Sequence, residues 1–154
     1  MATLYSTQIT NDRAAPPVRG EFNRNGSALR YVLGTYTEPA TQVMTTGDVI
    51  QMVKVPKGAI VNQHLSYIEW EDMGGTITVD VGDGADDDRY CSALAMGTAS
   101  TTTVTTFEEA KGAAVYGVEY EYTAADTIDL TCDTVTTPTA SVTIKMHVFY
   151  TMNG

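Results

Sequence analysis

The sequence predicts an all-β fold: a two-sheet antiparallel β-sandwich, jelly-roll-like, with an extended N-terminal arm. Three observations point there. From residue 27 onward, apolar and polar residues alternate in short tracts rich in Val, Ile, Thr and Tyr, the period of a strand buried on one face. Turn formers such as Pro56-Lys57-Gly58 and Gly74-Gly75 separate the tracts. Only "TFEEAKGA", residues 106 to 113, has helical character, and Gly112 would end it.

The chain divides into an arm, residues 1–26, and a sandwich domain, residues 27–154. The arm shows no sustained period of two or 3.6, and Pro16-Pro17 would break either ladder. At about 3.3 Å per residue it could reach of the order of 85 Å, beyond the width of the domain behind it. A solvated terminus is the plain alternative. Leu4, Tyr5, Ile9, Val18 and Phe22 favour a docked arm, because a purely solvating tail has no need of them. With Arg13, Arg19 and Arg24, the side chains Leu4, Tyr5, Ile9 and Phe22 form the expected binding set.

The strands follow in order. Leu29, Tyr31 and Leu33 alternate in "SALRYVLGTYTEP". The tract Asp48 to Val55 stops at Pro56-Lys57-Gly58, where glycine can take a positive φ. Tracts from Ala59 to Trp70 and from Thr76 to Val81 are split by "EDMGG". Later, Tyr116, Val118, Tyr120 and Tyr122 share one face, as do Ile128, Leu130 and Cys132. The last tract places Val142, Ile144, Met146, Val148 and Tyr150 together. About eight such strands with long crossing loops favour a jelly roll over an immunoglobulin-like sandwich. Trp70 also precedes both cysteines, unlike the immunoglobulin Cys-Trp-Cys order.

Composition narrows the function. A chain of 154 residues, 43% hydrophobic and 18% charged, suits one folded domain that needs no metal or disulfide. No apolar run approaches the ~18 residues of a membrane-spanning helix, and "MATLYSTQITNDR" lacks the layout of a secretory signal. Neither membrane nor cofactor is expected. Cys91 and Cys132 have no CxxC spacing, so free buried thiols are expected. The net charge of -10 is unevenly spread. Residues 1–30 carry four arginines against Asp12 and Glu21, while the remainder holds five basic and seventeen acidic residues. Such an acidic body repels nucleic acid.

No complete catalytic signature is present, and no catalytic residue is assigned. His64 and His147 lie in strand-like tracts without a nucleophile motif. Glu69 with Glu71, or Glu119 with Glu121, could mimic a glycosidase pair, but alternating glutamates also make an ordinary wet sheet face. In "VDVGDGADDDRY", residues 79 to 90, Asp83, Asp86 and Asp88 are weak calcium candidates. The spacing is not that of an EF-hand, and an acidic loop held in solvent is the favoured reading.

Three stretches resemble small virion proteins of tailed bacteriophages that decorate or cement the head. They are the opening "MATLYSTQ", "VKVPKGAIV" at residues 53 to 61, and "TVDVGDGADDDRY" at residues 78 to 90. The resemblance implies a non-enzymatic β-domain, a homo-oligomer and most simply a homotrimer, seated on the major capsid protein at the capsid exterior of the virion. It implies no catalytic residues. The threonine-rich segment from Ala93 to Gly112 has no counterpart in that pattern. The competing expectation is a carbohydrate- or receptor-binding module of a phage head or tail fibre, with Trp70 as its sugar platform.

Overall fold

The computed structural model describes residues 28–39, 44–97, 103–107, 120–139 and 141–153, with backbone alone at Thr103 and Val104. The expected arm lies outside the described residues, as does the expected helix beyond Phe107. The described strands are β1 (Arg30–Thr37), β2 (Val49–Val55), β3 (Ala59–Val61), β4 (Tyr67–Trp70), β5 (Thr76–Asp83), β6 (Asp86–Ala95), β7 (Thr103–Thr106), β8 (Asp126–Thr136) and β9 (Thr143–Met152).

Two antiparallel sheets result, in the orders β1-β9-β4-β7 and β2-β8-β5-β6, with β3 added alongside β9. The pairing is nested: β5 with β6, β4 with β7, β2 with β8, and β1 with β9. A two-stranded ribbon folded across itself gives this pattern, with successive pairs alternating between sheets. The β4–β9 and β5–β8 ladders then close each sheet. That is a jelly roll, as the sequence predicts.

The core lies between the sheets. Val53 and Val55, Ile68 and Trp70, and Ile77, Val79 and Val81 enter from β2, β4 and β5, against Ile128, Leu130 and Cys132 of β8 and Ile144, Met146 and Val148 of β9. The expected apolar faces of β8 and β9 are therefore the buried ones. In β1 the alternation is present but turned over. Leu29, Tyr31 and Leu33 face solvent, while Val32, Gly34 and Tyr36 face inward.

Turn chemistry sets the breaks. At the end of β2, Ala59 N–H donates to Pro56 O at 3.1 Å, and Gly58 takes φ +81°, as expected of glycine there. The tract from Ala59 to Trp70 is two strands rather than one. Ser66 N–H donates to Asn62 O at 3.0 Å, and the resulting turn carries His64, correcting its placement in a strand. Tyr116 and Val118 of the expected tyrosine strand lie outside the described residues, and within its described part Glu121 forms a bridge with Ile60. Cys91 and Cys132 are buried and free of a disulfide.

Candidate functional site

The acidic stretch from Val79 to Tyr90 forms a hairpin whose two-residue turn, Gly84-Ala85, joins β5 to β6. Asp83 precedes the turn, and its Oδ1 accepts from the amides of Ala85 at 3.0 Å and Asp86 at 3.1 Å. Arg89, on the returning strand, donates through Nε to Asp83 Oδ2 at 2.5 Å and through Nη2 to Oδ1 at 3.2 Å. The expectation that every acid here faces solvent fails at Asp83, which is 4% exposed. An ion pair with two further amide donors makes that burial tolerable.

Aromatic side chains surround the pair. The Arg89 guanidinium lies 3.6 Å from the centre of the Tyr120 ring, and Tyr120 meets Tyr122 edge to face at 5.1 Å. The buried hydroxyls of Tyr122 and Tyr90 are 2.9 Å apart. Burial alone would raise the Asp83 pKa; the hydrogen bonds from Arg89 and Ala85, with the Arg89 charge, hold it below the usual carboxylate value. Burial raises both tyrosine hydroxyls, so they stay protonated. The assembly ties the chain at Tyr120–Tyr122 onto the hairpin. Sequence reading missed it, although an arginine and a tyrosine directly after a run of acids was its signal.

Of the calcium candidates, Asp83 has both oxygens engaged, while Asp86 and Asp88 gather with Asp87, their carboxylate oxygens within 4.8 Å of one another. Asp86 hydrogen bonding, followed by burial and the neighbouring acid charges, raises the Asp88 pKa. Calcium takes six to eight oxygens, more than these three side chains supply one apiece.

Other acids hydrogen-bond amides and side chains that the fold brings beside them. Glu38 is buried, and its carboxylate accepts from the Tyr36 hydroxyl at 2.8 Å and from the Met44 amide. Burial, then that hydrogen bond, raises Tyr36 to about 12. Asp48 accepts from Thr45, Asp80 from the Ala93 amide at 2.6 Å, and Glu121 from Asn153 at 2.6 Å. Glu69 meets Lys145 at 3.4 Å, whereas Glu71 accepts from the Thr143 amide at 3.1 Å. The two glutamates of the glycosidase reading are thus bound to different partners on β9. Glu119 lies outside the described residues.

Trp70 is 4% exposed and belongs to the core, which removes the proposed sugar platform. The aromatics on the outer face of the β1-β9-β4-β7 sheet are others. Tyr31 lies across β9, its hydroxyl 2.8 Å from His147 Nδ1 and its ring 5.0 Å from Phe149. His147 stacks on Tyr67 at 4.2 Å, with Nε2 3.5 Å from Glu69 Oε1. The expected arm contacts Leu4, Tyr5, Ile9, Arg13, Arg19, Phe22 and Arg24 lie outside the described residues.

Neither a protein-family model nor a curated protein matches the chain. Solved structures do. A chain of the cyanophage Pam1 capsid asymmetric unit superposes with a TM-score of 0.63 at 23% identity, over 99% of each chain. A chain of the Ralstonia phage GP4 capsid gives 0.59 at 18% identity, over 84% of this chain and 88% of that one. The acidic stable capsid of Helicobacter pylori bacteriophage KHP30 supplies a third, at 0.51 and 18% identity. At these identities the likeness is one of fold, and the two-sheet β-sandwich is what this chain shares with chains of phage capsids.

Proposed function

We propose that this chain is a structural virion protein that binds the outside of a bacteriophage head as a decoration protein and stabilises the lattice of the major capsid protein. The observation that carries the reading is the fold match over 99% of both chains to a component of a phage capsid. The side-chain chemistry agrees with it. Acids that an enzyme would aim into a cleft are spent on neighbouring amides, hydroxyls and cations. A strongly acidic body suits the exterior of a shell better than its DNA-facing interior.

In this reading the protein acts as a homo-oligomer, a trimer being the simplest form, so that one modest contact is repeated around a symmetry axis and gains strength by multivalency. The arm supplies reach, with Leu4, Tyr5, Ile9 and Arg13 farthest from the domain. Add-back to particles lacking the protein tests it. The purified chain should co-sediment with expanded heads and raise the temperature at which they release DNA. Heads that neither retain the protein nor gain heat resistance would refute the assignment.

A further inference from the structure

Among the described residues the exposed large apolar side chains are Leu29, Tyr31, Leu33, Val49 and Leu65. Three of them form one stripe. Leu29, Tyr31 and Leu33 occupy alternate positions, 50%, 52% and 46% exposed, along β1 and the residue before it. That strand is a sheet edge, with β9 as its only strand partner among the described residues.

The other edges carry features that discourage further pairing. β2 has a register shift between Gln51 and Val53, and it carries Lys54. β6 has two such shifts and opens with three aspartates, whereas β7 is four residues long. By contrast β1 keeps an unbroken register with β9 across eight residue pairs, and its single charge is Arg30 at the start. A regular edge with an exposed apolar stripe and one charge at its start is a template for another strand.

We propose that the occupant of this edge is residues 18–24 of the same chain, returned onto β1 by a two-residue turn at Asn25-Gly26. The described chain begins at Ala28, directly before the stripe, so residues 18–27 are covalently tethered next to this edge. Asn-Gly is the strongest two-residue hairpin signal, because both positions of that turn take positive φ. Such a turn fixes the register. Phe22 falls opposite Leu29, Gly20 opposite Tyr31 and Val18 opposite Leu33, all on the exposed face. Glu21 falls opposite Arg30, a pair of opposite charges.

A slip of one residue would set Phe22 against Arg30 and move the apolar set to the other face. Pro16-Pro17 marks the natural end, since proline offers no ladder donor. The inference reassigns Arg19, Phe22 and Arg24 from the capsid contact to the domain, and it shortens the free arm to residues 1–15, of the order of 50 Å in reach. It stands independently of capsid binding.

Amide hydrogen exchange on the full chain tests it, at two protein concentrations and in the Gly26→Val variant, whose branched side chain opposes positive φ. Amides within residues 18–24 should exchange at least about 10-fold more slowly than in the isolated peptide 16–27, independently of concentration. The Gly26→Val change should abolish that protection while β8 amides keep theirs. Exchange at the peptide rate in the parent chain overturns the proposal, as does protection that survives Gly26→Val. Protection that vanishes on dilution also overturns it, by giving the edge to a second copy.

Discussion

Arg89 grips Asp83 across the β5–β6 hairpin with two nitrogen–oxygen contacts, 2.5 and 3.2 Å long, while its guanidinium covers the Tyr120 ring. The arginine thus neutralises a buried carboxylate and docks the segment around Tyr120 in one placement. Replacing it by leucine leaves Asp83 charged and uncompensated. Arg89→Leu should cost about 3–5 kcal/mol in chemical denaturation, the range for breaking one side of a buried ion pair. The double variant Asp83→Asn with Arg89→Leu should recover part of the loss. A single variant as stable as the parent would mean that the carboxylate has another partner.

Acid should act through the same pair. The folded-state pKa of Asp83 is depressed, so its contribution is complete above the unfolded carboxylate value of about 4 and is lost as pH falls through the lower folded value. Thermal unfolding between neutral and strongly acid pH should therefore show a stability gap between the parent and Asp83→Asn that narrows towards acid. A gap of constant width excludes Asp83 as the titrating group.

Asp129 should behave in the opposite sense. It lies on β8 facing Gly82 of β5, is 6% exposed, and its Oδ1 has no hydrogen-bond partner among the described residues. Burial, followed by the charges of Asp126 and Asp83, raises its pKa despite a hydrogen bond with Thr127. A raised carboxylate favours folding below its unfolded pKa, and that contribution disappears as pH rises through the folded one. Asp129→Asn should accordingly stabilise the protein at neutral pH, with no gain at acid pH. Equal effects at both extremes would show that packing, and not charge, separates the two side chains.

How far the sequence discloses this molecule depends on whether one residue's role is set locally. In β9 the buried series Ile144, Met146 and Val148, continued from Val142 just before it, reads directly from period-two alternation, since both neighbouring strands share that inner face. The Gly58 turn reads equally well, because positive φ is a property of one residue. In β1 the same alternation misleads. This edge strand turns Val32, Gly34 and Tyr36 inward, with Gly34 where β2 approaches closely, and leaves Leu29, Tyr31 and Leu33 outside. Arg89 and Tyr120 are hidden for a different reason: they meet from positions 31 apart in number, through a fold that neither residue specifies. Trp70 likewise reads as a sugar platform or as core until the ladder to Ile144 places it inside.

Trp70 gives a prediction that separates core from binding surface. Its ring is enclosed between the sheets, and Nε1 has no hydrogen-bond partner among the described residues. Trp70→Ala should cost about 3–5 kcal/mol through the cavity it leaves. Trp70→Phe should lose less, since it keeps much of the volume and removes the unsatisfied donor. Tyr67→Ala, on the outer face, should change stability far less than Trp70→Ala. Equal melting temperatures for the parent and Trp70→Ala would place the indole at the surface and reopen a ligand role.

Gly34 tests the contact between the two sheets at the β1 side. A Cβ there would collide with the Met52 carbonyl oxygen and lie 2.8 Å from Val53 Cγ1, at the register shift of β2. The bulge turns that carbonyl towards β1, and only a residue without a side chain lets the strands approach so closely. Gly34→Ala should therefore destabilise by about 1–3 kcal/mol through overpacking. Gly47→Ala is the companion measurement. Gly47 has φ +91° and open space around its Cβ position, so its substitution, costing about 1–2 kcal/mol, reports backbone strain alone. The two variants should also differ in where they act. Gly34→Ala should speed hydrogen exchange in β1 and β2 together, because it wedges the sheets apart, whereas Gly47→Ala should confine its effect to the turn before β2. If Gly34→Ala left β1 and β2 exchange unchanged, the close approach of these two strands would be wrong.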